Sequence, residues 1–159
     1  MANGGKMVKP HIVKEIRKAG KTIEKFDAEV IDKSIASEET IALARELLEG
    51  VVEDGTATRT FKNSPYTLAG KTGTAQIAIN GRYDKSNYNA TFAGYFPADN
   101  PKYSCIVVIH RPRSGSIYAS TLAVPVFRSI ADRVYATDLA IHAGKKYENQ
   151  ENTSVPAIW

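Results

Sequence analysis

Between Thr67 and His110 three strand-like segments follow one another with only short turns between them, and this most restricts what the chain can fold into. The first, TLAGKTGTAQIAI (67–79), is rich in threonine and isoleucine, which suit a pleated, half-buried surface. NGRYDKSNYN (80–89) reads as a turn with Asn80-Gly81 at its tip, a pair that favours tight hairpins. NATFAGYFP (89–97) and KYSCIVVIH (102–110) follow, joined by the proline-containing turn ADNP. Strands on connections this short pair antiparallel, because parallel neighbours need a crossover of about a dozen residues or more.

The flanking sequence supplies the layer that such a sheet needs. HIVKEIRKAGKTIEKF reads as a β-hairpin over about residues 11–17 and 21–27, broken at Ala19-Gly20. Ser37 is a suitable N-cap for a helix that carries Glu38 and Glu39 in its first turn and stops by Gly55. Ile41, Ala44, Leu47, Leu48 and Val51 fall on one face of it. TRTFKNSPYT (58–67) has the Asn-Ser-Pro signature of a loop, and RPRSGSIY (111–118) is a second loop. ASTLAVPVFRSIADRVYA (119–136) predicts a closing helix with Leu122, Val126, Phe127, Ile130 and Val134 at helical spacing. Pro125 is expected in its first turn or at a bend. The fold class expected is α/β in the broad sense, more strictly α+β: an antiparallel sheet with helices packed on it.

Several function classes are disfavoured at this level. The net charge of +4 is spread from Lys6 to Lys146 among acidic residues, with no basic stripe interleaved with aromatics, so no nucleic-acid partner is expected. Cys105 is the single cysteine, which excludes an internal disulfide, and in its apolar run it reads as a small buried hydrophobe. His11, His110 and His142 are scattered without ligand spacing, so no metal is expected. No run approaches the roughly 20 apolar residues of a membrane span, and MANGGKMVKP lacks the apolar core of a signal peptide. No membrane contact by this chain is therefore expected.

Gly70-Lys71-Thr72 raises the possibility of a phosphate loop. Such a loop needs glycine five residues before Gly70, where Pro65 stands, and must open directly into a helix. Here Gly73-Thr74-Ala75-Gln76-Ile77 leads into another strand instead. The remaining reading is Lys-Thr-Gly on a strand, the third active-site motif of penicillin-interacting enzymes. The flanks carry it. In order, ANGGKMVKPHIV, LLEGVVEDGTA, LAGKTGTAQ, GRY, FAGYFPADNPKYSCIVVI and AVPVF resemble the C-terminal part of class B penicillin-binding proteins, the monofunctional peptidoglycan D,D-transpeptidases. The resemblance covers about residues 2–135. The glycine pair that often precedes the last helix in that family is Ala119-Ser120 here.

The resemblance implies acyl transfer through a serine ester, without a cofactor, on stem peptides ending in D-Ala-D-Ala. It implies acylation by β-lactams and a place on the outer side of the inner membrane, with divisome or elongation proteins as partners of the parent. Lys71 and Thr74 would be catalytic, with Lys71 bringing charge beside the nucleophile and the Thr74 N–H serving as one oxyanion donor. Thr72, Gly73, Thr74 and Gln76 would bind substrate, Thr74 holding the terminal carboxylate and Gly73 allowing close approach of the ligand backbone. Strand parity places Lys71 and Thr74 on opposite faces, and the family's answer is a strand edge along which the peptide lies.

No serine of the chain has lysine three residues later and none begins Ser-x-Asn; KSNYN comes close with the wrong spacing. The nucleophile is thus not in this chain, which is expected to be part of a larger protein and inactive alone. Residues 1–135 would be the C-terminal portion of the penicillin-binding domain, and 136–159 a polar tail or linker. The open flank of YSCIVVIH and the closing helix make self-association an expectation. A D,D-carboxypeptidase, a β-lactamase-type hydrolase and a non-catalytic β-lactam sensor remain alternatives.

Overall fold

The computed structural model describes residues 1–113, 115–138 and 141. Most of the segment read as a polar tail therefore lies outside the described residues. In chain order the elements are β1 (Met7–Val8), β2 (Glu15–Lys18), β3 (Lys21–Lys25), β4 (Val30–Asp32), α1 (Glu38–Glu53), α2 (Thr58–Phe61), β5 (Ala69–Ile79), β6 (Arg82–Phe96), β7 (Tyr103–His110) and α3 (Ala119–Thr137). β5, β6 and β7 form one antiparallel sheet in that order, as their short connections demand. β2 and β3 pair around Ala19-Gly20, both at positive φ, and β1 pairs with β4 as a second two-stranded ribbon that the sequence reading did not foresee.

The turn expected over 80–89 shrinks to its tip. Asn80 and Gly81 both take positive φ, and β6 begins at once with Arg82. An irregularity between Gln76 and Ile77, where the partner on β6 jumps from Tyr88 to Asp84, absorbs most of the difference between the 15 residues of β6 and the 11 of β5. The loop expected at 58–67 contains the four-residue α2, which carries Phe61 into the core.

The core lies between the sheet and α3. Phe92, Phe96, Phe127 and Val124 are the largest fully buried side chains. Phe92 stands edge-on to Phe127 at 4.8 Å between ring centroids, with Phe61 6.0 Å away. α3 presents a face different from the expected one. Ala119, Ala123 and Ala131 are fully buried, while Val126 and Ile130 are exposed. Three small side chains let the helix backbone approach the sheet, and this close approach rotates the larger aliphatics to the flank. Pro125 is the seventh residue of the helix, beyond its first turn. Cys105 is half-buried rather than fully buried.

α1 starts as expected, with the Ser37 hydroxyl accepting from the Thr40 N–H at 3.2 Å. Its inward face is Ile41, Leu48 and Val52; Leu47, expected inside, is 66% exposed. Leu47 stands about 100° around the axis from Leu48, off the arc that meets β5. Beneath α1, the Tyr95 hydroxyl is buried without a hydrogen-bond partner among the described residues, and burial pushes its pKa up.

A polar clamp ties α3 to the segment entering β5. The Tyr66 hydroxyl donates to Asp132 at 2.6 Å, Arg128 grips the same carboxylate at 2.8 and 2.9 Å, and Arg128 also donates to the Thr60 carbonyl. Burial first, then the bond to Asp132, pushes the Tyr66 pKa far above the tyrosine range. Tyr66→Phe is expected to lower stability by about 1–2 kcal/mol, the worth of a hydrogen bond to a charged group with Asp132 still held by Arg128. Urea denaturation of the two proteins measures it.

Candidate active site

β5 presents residues 71–76 in an alternation fixed by its pairing. Thr72 opposes Phe92, Thr74 opposes Ala90 and Gln76 opposes Tyr88. Because Phe92 and Ala90 are buried against α3, these three side chains emerge on the α3 side of the sheet. Lys71 and Gly73 oppose Ala93 and Thr91 and emerge on the other side. The parity read from the sequence therefore holds: the strand itself separates Lys71 from Thr72 and Thr74.

Each side chain has a definite partner. The Lys71 Nζ curls back to the Thr72 carbonyl at 2.8 Å. The Thr72 hydroxyl shares a hydrogen bond of 2.8 Å with the Thr56 hydroxyl, from the turn after α1. Gln76 Nε2 lies 3.3 Å from the Tyr88 hydroxyl. A Cβ added to Gly73 would come no closer than 3.8 Å, in ordinary contact with Thr91, so the fold itself does not require glycine there. Gly70, one position before Lys71, is different: a Cβ would meet the Phe92 ring at 2.6 Å and the Ala93 carbonyl at 2.8 Å. Only glycine lets β5 lie this close to β6 just before the motif.

Thr74 sits at the start of α3. The Ala119 N–H, first of the helix, donates to the Thr74 hydroxyl oxygen at 3.3 Å. Tyr118 caps the helix without a side-chain hydrogen bond, and no acidic residue lies in the first turn. The positive end of a 19-residue helix is thus directed at Thr74, with no acidic side chain in its first turn to offset it. Since the hydroxyl oxygen already accepts from Ala119, its hydrogen is free to donate outward. Such an arrangement favours an anionic oxygen.

β5 pairs only with β6, so its other edge has no ladder partner among the described residues. An unpaired edge is a template for an extended peptide. Of the residues singled out from sequence, Thr72, Thr74 and Gln76 share one side of that edge, with Lys71 and Gly73 on the other. Thr56 and Ala119 were missed. They reach the motif only through the fold, 16 and 45 residues away from their partners.

The sequence pattern of the penicillin binding protein transpeptidase domain matches residues 1–132. Stage V sporulation protein D of Bacillus subtilis is 36% identical over 129 residues, which span 80% of this chain and 20% of that protein. A probable peptidoglycan D,D-transpeptidase PenA of Neisseria flavescens is 30% identical over 125 residues, 79% of this chain and 31% of its own length. Among solved structures, penicillin-binding protein 3 of Mycobacterium tuberculosis in its apo form superposes with a TM-score of 0.69 at 31% identity, covering 85% of this chain and 32% of the other. The chain thus spans about a fifth to a third of the length of these proteins.

Proposed function

This chain belongs to the penicillin-binding protein transpeptidase domain family, and we propose that it forms the third-motif wall of a peptidoglycan D,D-transpeptidase whose nucleophile lies outside these 159 residues. The observation that carries the reading is Thr74 on an unpaired strand edge, with the N-terminal amide of α3 donating to its hydroxyl. A stem peptide ending in D-Ala-D-Ala adds along β5. Its terminal carboxylate accepts from the Thr74 hydroxyl, assisted by Thr72 and by the helix end. Gly73 leaves room for the ligand backbone, and Gln76 follows it along the strand.

The chemistry is acyl transfer. A serine oxygen from outside this chain attacks the penultimate D-alanyl carbonyl, the terminal D-alanine leaves, and an amine of a second stem peptide takes the acyl group from the ester. The Thr74 N–H is one donor to the oxyanion, and Lys71 holds positive charge on the side of the strand where that nucleophile would stand. β-Lactams, with a carboxylate beside a reactive carbonyl, enter the same way. The site of action is the outer face of the inner membrane. Among the described residues no helix is long and apolar enough to cross a membrane.

Two results are expected of the isolated chain. Incubated with benzylpenicillin, it keeps its mass, because it contains neither Ser-x-x-Lys nor Ser-x-Asn. A covalent adduct seen by intact mass spectrometry would refute the assignment of the nucleophile elsewhere. The chain is also expected to self-associate. β7 pairs only with β6 among the described residues, and Ile106 and Val108 on it are 64% and 51% exposed. Light scattering after size exclusion that gives a monomer at high concentration would count against this.

A further inference from the structure

The turn that follows α1 is built to hold one hydroxyl against β5. Its backbone is closed by hydrogen bonds from the Asp54 N–H to the Gly50 carbonyl at 3.0 Å and from the Ala57 N–H to the Val51 carbonyl at 3.0 Å. Gly55 has no substitute there: a Cβ would meet Val51 Cα at 2.7 Å and the Val51 carbonyl oxygen at 2.8 Å, and neither backbone atom can step aside. Ala57 is fully buried. Thr56 stands between these two fixed residues, exposed, with its hydroxyl 2.8 Å from that of Thr72. Among the described residues the Thr56 hydroxyl bonds to nothing in the turn itself. Thr58 supplies the hydroxyl that does, donating to the Gly55 carbonyl at 2.9 Å.

Thr56 and Thr72 carry one hydroxyl hydrogen each, and the bond between them uses one. The other is left to point away from the pair. A lone Thr72 hydroxyl would rotate freely; one that accepts from Thr56 has its remaining donor direction set. Accepting a hydrogen bond also polarises a hydroxyl into a stronger donor. Either hydroxyl can donate within the pair, and a carboxylate on the β5 edge selects the order Thr56 to Thr72 to carboxylate.

Thr74 is prepared in the same manner by a different group, the Ala119 N–H at 3.3 Å. Thr72 and Thr74 share the α3 side of β5, two residues and about 7 Å apart along the strand. Each has a donor behind it and a hydrogen in front. The end of α1 supplies the first donor and the start of α3 the second, so the fold backs both threonines from rigid elements.

We infer that Thr56 is a positioning residue for carboxylate capture: it donates to Thr72 and fixes the Thr72 hydroxyl, so that Thr72 and Thr74 together hold the carboxylate of the ligand. The inference rests on the reading of β5 as the edge that takes this carboxylate, and adds to it a residue outside the motif. The test uses the complete product of the reading frame and two probes, benzylpenicillin and its analogue with the carboxylate replaced by a primary amide. The ratio of their second-order acylation rates reads carboxylate capture and cancels effects on the nucleophile. Thr56→Val should lower that ratio about threefold to tenfold, the worth of one hydrogen bond, and Thr56→Ser should restore it. In a Thr72→Val background Thr56→Val should change the ratio no further, because Thr56 acts only through Thr72. Thr58→Val removes a hydroxyl from the same turn and should leave the ratio as it is. An unchanged ratio in Thr56→Val, a further loss in the double variant, or an equal loss in Thr58→Val overturns the inference. The preceding reading fails differently. Equal rates for acid and amide in the unaltered protein, or a ratio untouched by both Thr72→Val and Thr74→Val, overturns it together with the inference. A ratio that falls in Thr72→Val and Thr74→Val but not in Thr56→Val overturns the inference alone.

Discussion

Replacing Phe92 with alanine is expected to cost about 3–5 kcal/mol, a large share of the roughly 5–15 kcal/mol that holds a domain folded. Phe92 is fully exposed to neither solvent nor void: its ring is completely buried, edge-on to Phe127 and tilted against Phe61. Removing it loses the transfer of a large apolar ring and leaves a cavity that α3 cannot close, because Ala119, Ala123 and Ala131 already bring its backbone against the sheet. The loss also reaches the motif, since Phe92 is the cross-strand partner of Thr72. Urea denaturation followed by circular dichroism should show the midpoint falling with the slope unchanged. A loss under about 1 kcal/mol would mean that the core is not centred on this ring.

The second large effect belongs to the complete product of the reading frame. Thr74→Val keeps the shape of the side chain and removes its hydroxyl. On the proposed reading the ligand carboxylate then loses a charge-assisted hydrogen bond, and the Ala119 N–H loses its acceptor. The second-order rate of acylation by benzylpenicillin should fall about 10–100-fold, and Thr74→Ser should restore most of it. Lys71→Met, which removes charge at similar length, is expected to cost about 10²–10³-fold. Stopped-flow or gel-based acylation kinetics measure both. An unchanged rate in Thr74→Val would detach the hydroxyl from the carboxylate.

Much of this was legible in the sequence because the signals were local. Asn80-Gly81 and the Ala-Asp-Asn-Pro turn specify the β5–β6–β7 meander, and Ser37 specifies where α1 begins. What escaped depended on tertiary packing. Counting large aliphatics placed Val126 and Ile130 inside, whereas a helix pressed tightly on a sheet buries its alanines. Leu47 looked equivalent to Leu48 until β5 chose between them. The β1–β4 pairing joins strands of two and three residues, too short to leave a periodic pattern.

The site divides in the same way. Lys71, Thr72, Gly73, Thr74 and Gln76 all fall within residues 71–76, and their split between two faces follows from strand parity alone. Thr56 and Ala119 lie far along the chain, and no spacing rule points from either to the motif.

The most direct test is a crystal structure of the complete product of the reading frame after reaction with benzylpenicillin. The account predicts a covalent adduct on a serine outside this chain, lying along the free edge of β5. Its carboxylate should sit within about 3.2 Å of the Thr74 hydroxyl, at the N-terminus of α3. An adduct whose carboxylate is held elsewhere, with Thr74 bonded only to Ala119, would contradict it.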